Sequence, residues 1–151
     1  MKSYIKTTAG FVLSATMATA SYGATVNVGE LQGFTGPLES MIGAMSGGAN
    51  LAVSESNDSG NYLQGTIVVH QGDSVCIDAA VAIAEAERLI NDEKVMAIMG
   101  PNCSGNTGAV ITNVLVPNGV VAVSPSATSP ALTTLEAVSY THLTLLTNRE
   151  V

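Results

Sequence analysis

The sequence predicts an α/β fold built on a doubly wound parallel sheet. Short apolar runs rich in β-branched residues alternate with longer stretches whose apolar residues recur every three or four positions. Regular alternation of this kind is typical of β–α–β units, which place helices on both faces of a parallel sheet. The composition agrees, because hydrophobic residues make up 46% of the 151 residues and charged residues 11%, which is enough apolar surface for a buried core.

The N-terminal half contains two predicted strands and the helix between them. Residues 25–31 alternate valine and leucine with polar residues, which predicts the first strand, and glycine and proline at 33–37 end it. Apolar side chains at 38–53 follow helical spacing, and an Asn-Asp-Ser-Gly sequence at 57–60 ends this first helix. Residues 66–70, TIVVH, are rich in β-branched side chains and predict the second strand.

The remaining elements continue the same alternation. The alanine-rich residues 78–91 predict the second helix, and the continuous apolar run at 95–99 predicts a third strand that is buried on both faces. A polar, glycine-rich loop then leads into a third helix, predicted at 107–116. A Pro-Asn-Gly turn at 117–119 ends this helix and leads into the fourth strand, residues 120–123.

Three segments of the chain differ in composition. Residues 1–24 begin with Lys2 and Lys6, continue with a weakly apolar stretch and end in small residues, which is typical of a secretory signal peptide. Residues 25–136 carry the strand–helix alternation and form the predicted domain. Residues 137–151 lose the alternation, contain no glycine and are dense in threonine and leucine, so we expect a tail foreign to the fold. We therefore expect an exported, periplasmic protein.

Charge and hydropathy argue against two kinds of partner. The net charge is −7 and the chain has only five Lys and Arg residues. Nucleic-acid binding requires clustered cations, so we expect no nucleic-acid partner. No stretch reaches the roughly 18–20 uncharged apolar residues that a membrane-spanning helix needs, so we expect no membrane insertion once the signal peptide is removed.

The glycine-rich segment at residues 100–108, GPNCSGNTG, invites comparison with nucleotide-binding loops. It lacks the Lys-Ser/Thr pair of a P-loop and the GxGxxG spacing of a dinucleotide fold. Two cysteines with no neighbouring CxxC or HxxxH pattern also make a poor zinc site. We therefore predict no cofactor and no metal.

Cys76 and Cys103 are the two cysteines of the chain. In an exported protein they are a candidate disulfide, whereas in a reducing cytosol they would be free thiols. A nucleophilic Cys103 at a helix N-terminus is an alternative, but it needs a base, and the two histidines are His70 and His142. We expect a protein that is not an enzyme, and a small exported thiol enzyme is the alternative.

Three loops are expected at the carboxyl edge of the sheet, where open parallel sheets bind ligands. They span residues 32–38, 100–108 and 124–130, and the last two are crowded with hydroxyl groups and small residues. Accessible backbone N–H groups at a helix N-terminus suit a carboxylate or another compact polar group. Alternatively, these Ser, Thr and Pro residues only cap helices and close turns.

The motifs in these loops resemble the branched-chain amino acid-binding family of type I periplasmic solute-binding proteins. The motifs are Gly33-Phe34-Thr35-Gly36-Pro37-Leu38, Cys76 before the second helix, Gly100-Pro101-Asn102-Cys103-Ser104 and Ser124-Pro125-Ser126-Ala127-Thr128-Ser129-Pro130. The resemblance extends from about Val26 to Leu135. It implies the first part of lobe one of a two-lobed protein, with a disulfide between Cys76 and Cys103.

The resemblance also implies which residues bind the ligand. Ser104, which follows the second cysteine, is implied to hold the ligand's carboxylate. Ser126, Ala127 and Thr128 are implied to offer backbone groups and a threonine hydroxyl to the carboxylate and ammonium, although family members have alanine where Ser126 stands. Met41 is the nearest match to a side chain early in the first helix that often walls the pocket, and no aromatic residue stands there.

The function implied by the resemblance is capture of a small polar solute, foremost an amino acid, for the permease of an ABC transporter. The chain is expected to hold only half of the binding cleft, because the second lobe, with the acidic partner for an ammonium, is missing. The ligand-sensing domain of a receptor or regulator has the same fold and is an alternative. The sequence does not name the ligand, since relatives take aliphatic amino acids, amides, urea or aromatic acids.

Overall fold

The structure, a computed structural model, describes residues 23–60 and 65–135. The predicted tail and all but the last two residues of the predicted signal peptide lie outside the described residues. Within the described ranges, no helix has the length and apolar character needed to cross a membrane.

Strands and helices alternate along the chain, as the sequence predicts. In order, the elements are β1 (Thr25–Gln32), α1 (Glu39–Asp58), β2 (Thr66–Asp73), α2 (Ala79–Asn91), β3 (Ala97–Met99), α3 (Ser104–Val110), a π-helical segment (Ile111–Leu115), α4 (Val116–Asn118), β4 (Val121–Val123) and a 3₁₀ helix (Pro130–Thr134). The four strands form one parallel sheet in the order β2-β1-β3-β4, which confirms the predicted fold class.

β1 lies inside the sheet and defines its topology. It pairs with β2 over eight residues, from Thr25 opposite Thr66 to Gln32 opposite Asp73, and with β3 on its other side. After β2 the chain therefore crosses over β1 to reach β3. This reversal places a topological switch point between β1 and β3, and ligands of open α/β sheets bind outside the carboxyl ends of the strands at such a point.

Different helices cover the two faces of the sheet. Consecutive residues of a strand point to opposite faces. Glu30 accepts a hydrogen bond from Ser46 of α1 (3.1 Å), whereas its neighbour Leu31 packs in a core with α2 and α3. α1 therefore lies on one face, and α2 and α3 lie on the other. The buried core on that second face consists of Leu31, Ala82, Ala86, Leu89, Val95, Ile98, Val110, Ile111, Val114, Leu115 and Ala122.

Small residues allow α2 to approach the sheet closely. A methyl group added at Gly29 would lie 3.1 Å from an Ile98 carbon and 3.2 Å from a Leu89 carbon. Ala82 and Ala86 are fully buried on the opposing side of this contact. Asp78 caps the helix, because its carboxylate accepts the N–H groups of the second and third helical residues. The alanine-rich composition of α2 thus follows from its close contact with the sheet.

The prediction that the third strand is buried on both faces is wrong for the described residues. Ile98 is 2% exposed, but Ala97 and Met99 on the other face are only partly buried, and Met96 within the predicted run is 67% exposed. The cause is uneven coverage: α2 and α3 pack over one face, whereas α1 covers only part of the other. An apolar groove of about 330 Å³ runs between α1 and that face, where Val28 and Met99 help to line it.

The third helix begins earlier than predicted, at Ser104 rather than Thr107. Cys103 has extended backbone angles, and its carbonyl accepts both the N–H (2.8 Å) and the hydroxyl (2.9 Å) of Thr107. These bonds close the first helical turn over residues that the sequence had assigned to a loop. The helical stretch continues from α3 through the π-helical segment and α4, and it ends at Gly119, whose φ of 64° is the left-handed conformation that glycine adopts readily.

Side chains cover part of the outer edge of β2, which is an edge strand of the described sheet. The side-chain amide of Asn57, at the end of α1, accepts the N–H of Ile67 (2.8 Å) and donates to its carbonyl (3.0 Å). Arg88 of α2 donates to the carbonyl of Gln71 (2.7 Å). These backbone groups are therefore satisfied by side chains where a further strand would otherwise pair.

Candidate functional site

Four loops meet at the carboxyl edge of the sheet beside the switch point. They are residues 33–38 after β1, 74–78 after β2, 100–103 after β3 and 124–129 after β4, and we call them the edge loops. The sequence predicts three of them, and the structure adds the loop after β2. Side-chain hydrogen bonds and the disulfide connect each edge loop to at least one other.

The disulfide Cys76–Cys103 predicted from the resemblance is confirmed. The two Cα atoms are 5.5 Å apart, within the usual range for a disulfide. The bond joins the loop after β2 to the residue that precedes α3. It passes close to the loop after β1, because a methyl group added at Gly33 would lie 3.5 Å from the Cβ and Sγ atoms of Cys76. Three of the four edge loops therefore meet at this disulfide.

Ser104 is the first residue of α3 and connects two edge loops. Its Oγ accepts hydrogen bonds from the N–H groups of Thr128 (3.1 Å) and Ser129 (3.2 Å). A hydroxyl oxygen has two lone pairs, so these bonds fill its capacity to accept and leave its own proton to donate. The structure thus brings Ser104 and Thr128 together, and it orients the Ser104 hydroxyl as a donor. Such a donor suits a carboxylate oxygen and does not suit an ammonium group.

Two further serines hold the loop after β4 against the loop after β3. Ser124 donates to the carbonyl of Pro101 (2.5 Å) and accepts the N–H of Ala127 (3.0 Å). Ser126 donates to the carbonyl of Asn102 (2.8 Å). The Ser126 hydroxyl is thus engaged within the protein, and Ala127 is 3% exposed. What these two predicted site residues can offer a ligand is therefore mainly backbone, and their ligand-binding role stays a prediction.

Met41 lies apart from this network of hydrogen bonds. It belongs to the first turn of α1, where its N–H donates to the carbonyl of Leu38 (2.9 Å). Its side chain is 58% exposed, whereas the following residue, Ile42, is 2% exposed and anchors the helix. Its predicted role as a pocket wall stays a prediction.

Sequence reasoning missed two asparagines that build the edge. Asn102 is 3% exposed, and its side-chain oxygen accepts the N–H of Gly33 across 69 residues of sequence (3.0 Å). Asn106 is equally buried and donates to the carbonyl of Ser74 (2.7 Å). Both lie in the GPNCSGNTG segment, whose two asparagines were the available signal. They fix the loops after β1 and β2 against the start of α3.

Asp73, the last residue of β2, was also missed. One carboxylate oxygen accepts the N–H groups of Val75 (2.9 Å) and Thr35 (3.3 Å), and the other accepts the Thr35 hydroxyl (2.6 Å). Partial burial by itself raises the pKa of this carboxyl group. The hydrogen bonds from Thr35, Val75 and Phe34 outweigh that effect, so the pKa of Asp73 lies below its ordinary value.

Within the described residues, the thiol site that was the enzymatic alternative is not assembled, and His142 lies outside them. Cys103 is bonded to Cys76. His70 is held within β2, where its two ring nitrogens lie 3.0 Å from a Glu93 oxygen and 3.2 Å from the Asn27 side-chain oxygen. In the described part of the chain, no group of three or more His, Cys, Asp or Glu side chains is arranged to hold a metal ion. The hydrogen-bonding groups that link the edge loops to one another remain as the candidate site.

Comparison with known sequences gives a consistent result. The profile of a family described as periplasmic binding protein matches residues 25–147. The Leu/Ile/Val-binding protein BraC3 of Rhizobium johnstonii is 30% identical over 126 residues, which is 83% of this chain and 33% of BraC3. The chain thus spans about a third of the length of this curated relative.

Two solved structures show the same partial coverage. The branched-chain amino acid transporter substrate-binding protein LivJ from Streptococcus pneumoniae, in complex with isoleucine, is 34% identical with a TM-score of 0.67, and the match covers 73% of this chain and 31% of LivJ. An ABC transporter solute-binding protein from R. palustris, in complex with 4-hydroxybenzoate, is 27% identical with a TM-score of 0.66, and the match covers 78% of this chain and 31% of that protein.

Proposed function

The chain belongs to the periplasmic binding protein family, and we propose that it forms the carboxylate-binding part of a solute-binding protein. That protein captures an amino acid or related acid in the periplasm and delivers it to the permease of an ABC transporter. Because the chain spans about a third of its relative's length, the remaining polypeptide would supply the rest of the cleft. The role is binding and delivery, without catalysis.

The observation that carries this proposal is the orientation of the Ser104 hydroxyl. Its two accepted hydrogen bonds, from Thr128 and Ser129, leave it only a proton to offer. The group that binds there must accept a hydrogen bond, and an ionised carboxylate makes the stronger, charge-assisted kind. The N-terminus of the continuous helix at residues 104–118 adds a favourable field for a negative charge.

The ligands of the two structural relatives support a carboxylate at this edge. LivJ was solved with isoleucine and the R. palustris protein with 4-hydroxybenzoate. These ligands differ in shape, and only isoleucine has an ammonium group, but both carry a carboxylate. The part of the fold present here therefore binds the carboxylate that the two ligands share. The rest of the cleft then helps to select the remainder of the ligand.

The test is an NMR titration of the ¹⁵N-labelled, oxidised 151-residue chain with L-isoleucine. Because the chain forms only part of the cleft, we expect a dissociation constant in the millimolar range, which corresponds to roughly 4 kcal/mol of binding free energy. The amide signals of Ser104, Thr128 and Ser129 should shift most. Isoleucinol, in which an alcohol replaces the carboxylate, should leave them in place. Equal shifts with both compounds, or no shift with either, would contradict the proposal.

A variant pair links the response to the hydroxyl itself. Ser104→Ala removes the donor, and we expect binding of isoleucine and of 4-hydroxybenzoate to weaken about tenfold, as for a lost charge-assisted hydrogen bond. Thr112→Ala is the matched control, because its hydroxyl bonds only to a carbonyl of its own helix and is exposed. Unchanged or tighter binding by Ser104→Ala would show that the hydroxyl only ties two loops together.

A further inference from the structure

Among the described contacts of the edge loops, the carboxylate of Asp73 is the one charged group that bonds to two of these loops. Both of its oxygens are used, and the bonds go to neutral donors: the N–H and hydroxyl of Thr35 and the N–H of Val75. Thr35 belongs to the loop after β1 and Val75 to the loop after β2. One side chain therefore fixes two loops that are nearly 40 residues apart in sequence.

The backbones of these two loops are in close contact at the same place. Gly36 has a φ of +96°, and a methyl group added there would lie 2.8 Å from the carbonyl oxygen of Val75. Val75 and Cys76 themselves have positive φ angles of 46° and 69°, which non-glycine residues adopt only when their surroundings impose them. Asp73 accepts the N–H of the first of these two residues, so it helps to impose this turn.

The turn at Val75 and Cys76 leads directly to the candidate site. Cys76 is bonded to Cys103, and Ser104 is the next residue. Displacement of the turn at Val75 and Cys76 would therefore reach the start of α3 through the disulfide and the Cys103–Ser104 peptide bond. The loop after β1 is coupled to this turn by the hydrogen bonds of Asp73. The Ser104 hydroxyl, which is the donor of the proposed site, lies at the end of this path.

We propose that Asp73 is a positioning residue for the ligand site, which it serves by holding the loop after β1 and the turn before the disulfide in their binding arrangement. This inference rests on the proposed function, because the arrangement of these loops affects binding only if Ser104 binds a ligand. It adds a residue that touches no ligand but on which ligand affinity depends.

The first test follows amide signals of the 151-residue chain as pH is lowered. The N–H groups of Thr35 and Val75 donate to Asp73, so their shifts should report the protonation of that carboxylate. We expect both to move together, with a midpoint below the ordinary aspartate value of 3.8. Asp73→Asn should abolish this transition. The neighbouring charged pair, Glu85 and Arg88, lies on α2 and is left intact by the substitution.

The second test compares two carboxylates at the same edge. Asp73→Ala should speed hydrogen exchange of the Thr35 amide about tenfold and raise the dissociation constant for L-isoleucine about three- to tenfold. Asp78→Ala is the matched control, because Asp78 also accepts two backbone N–H groups but caps α2. It should change neither quantity. Thr35→Val removes one of the three bonds and should give a smaller effect in the same direction.

The outcomes separate this inference from the function on which it rests. A wild-type chain that does not respond to isoleucine overturns the proposed function, while the Thr35 and Val75 amides still decide whether Asp73 holds the loops. Amides that do not titrate, or equal Thr35 exchange in the Asp73→Ala and Asp78→Ala variants, overturn the role of Asp73. If Asp73→Ala changes the exchange of the Thr35 amide but not the affinity for isoleucine, Asp73 is not a positioning residue. The arrangement of the loop after β1 would then not affect ligand binding.

Discussion

Removal of the Cys76–Cys103 disulfide should cost a large part of the stability of this domain. The two cysteines are 27 residues apart. In the chain-entropy description, a closed loop of that length restricts the unfolded chain by about 12 cal/mol/K, or about 3.5 kcal/mol at 25 °C. Reduction would also let Val75 and Cys76 leave their positive-φ conformations, which offsets part of this loss. We therefore expect a net loss of about 2–4 kcal/mol.

Urea denaturation of the oxidised chain and of a Cys76→Ser/Cys103→Ser double variant measures this difference. The two proteins should have different midpoints, and the wild-type chain under a phosphine reductant should match the double variant. A chain of this size should lose roughly 10 °C or more in thermal midpoint. A difference below about 1 kcal/mol would refute the reasoning, because the edge loops would then be ordered by their hydrogen bonds alone.

Four further outcomes are expected. Leu89→Ala, at a fully buried position, should lower the free energy of unfolding in urea by about 2–5 kcal/mol. Gly36→Ala forces a side chain towards the Val75 carbonyl and a left-handed φ, and should cost about 1–3 kcal/mol in the same assay. The depressed pKa of Asp73 stabilises the fold fully above the unfolded aspartate pKa, and this contribution is lost as pH falls through the folded value. Asp73→Asn should therefore flatten the fall of the urea midpoint with pH below about pH 4. Deletion of residues 137–151 should leave the thermal midpoint nearly unchanged, and a large drop would show that the segment is a native strand.

The order of strands and helices was predictable because it depends on local patterns. The β-branched run at 66–70 and the alanine-rich run at 78–91 each indicate one element. Strand β2 nevertheless continues to Asp73, through polar residues that sequence patterns assign to a loop. They remain in the strand because β1 pairs with β2 as far as Gln32, a partner distant in sequence. Tertiary pairing thus decides the end of a strand whose beginning is set locally.

The candidate site was predicted in outline, and its details were not. The resemblance placed Ser104 and Thr128 in one site, and the structure brings them within hydrogen-bond distance. The resemblance did not indicate that the backbone N–H of Thr128 donates to the Ser104 hydroxyl oxygen. This bond helps to orient the Ser104 proton. The role of Asp73 was missed for a similar reason, since its main partner, Thr35, lies 38 residues earlier and their contact depends on strand register. Such long-range polar pairs leave no periodic signal in the sequence.

The side-chain amide of Asn57 on the outer edge of β2 also affects how readily that edge can pair with another chain. A long, regular edge strand offers free backbone groups to any other extended chain, and proteins commonly protect such edges against aggregation. Here Ile67 already has both of its backbone groups occupied by one asparagine, and Arg88 places a cation beside Gln71. A second chain that adds alongside β2 must first displace these contacts. The end of α1 therefore helps to protect the outer edge of β2 against pairing with another chain.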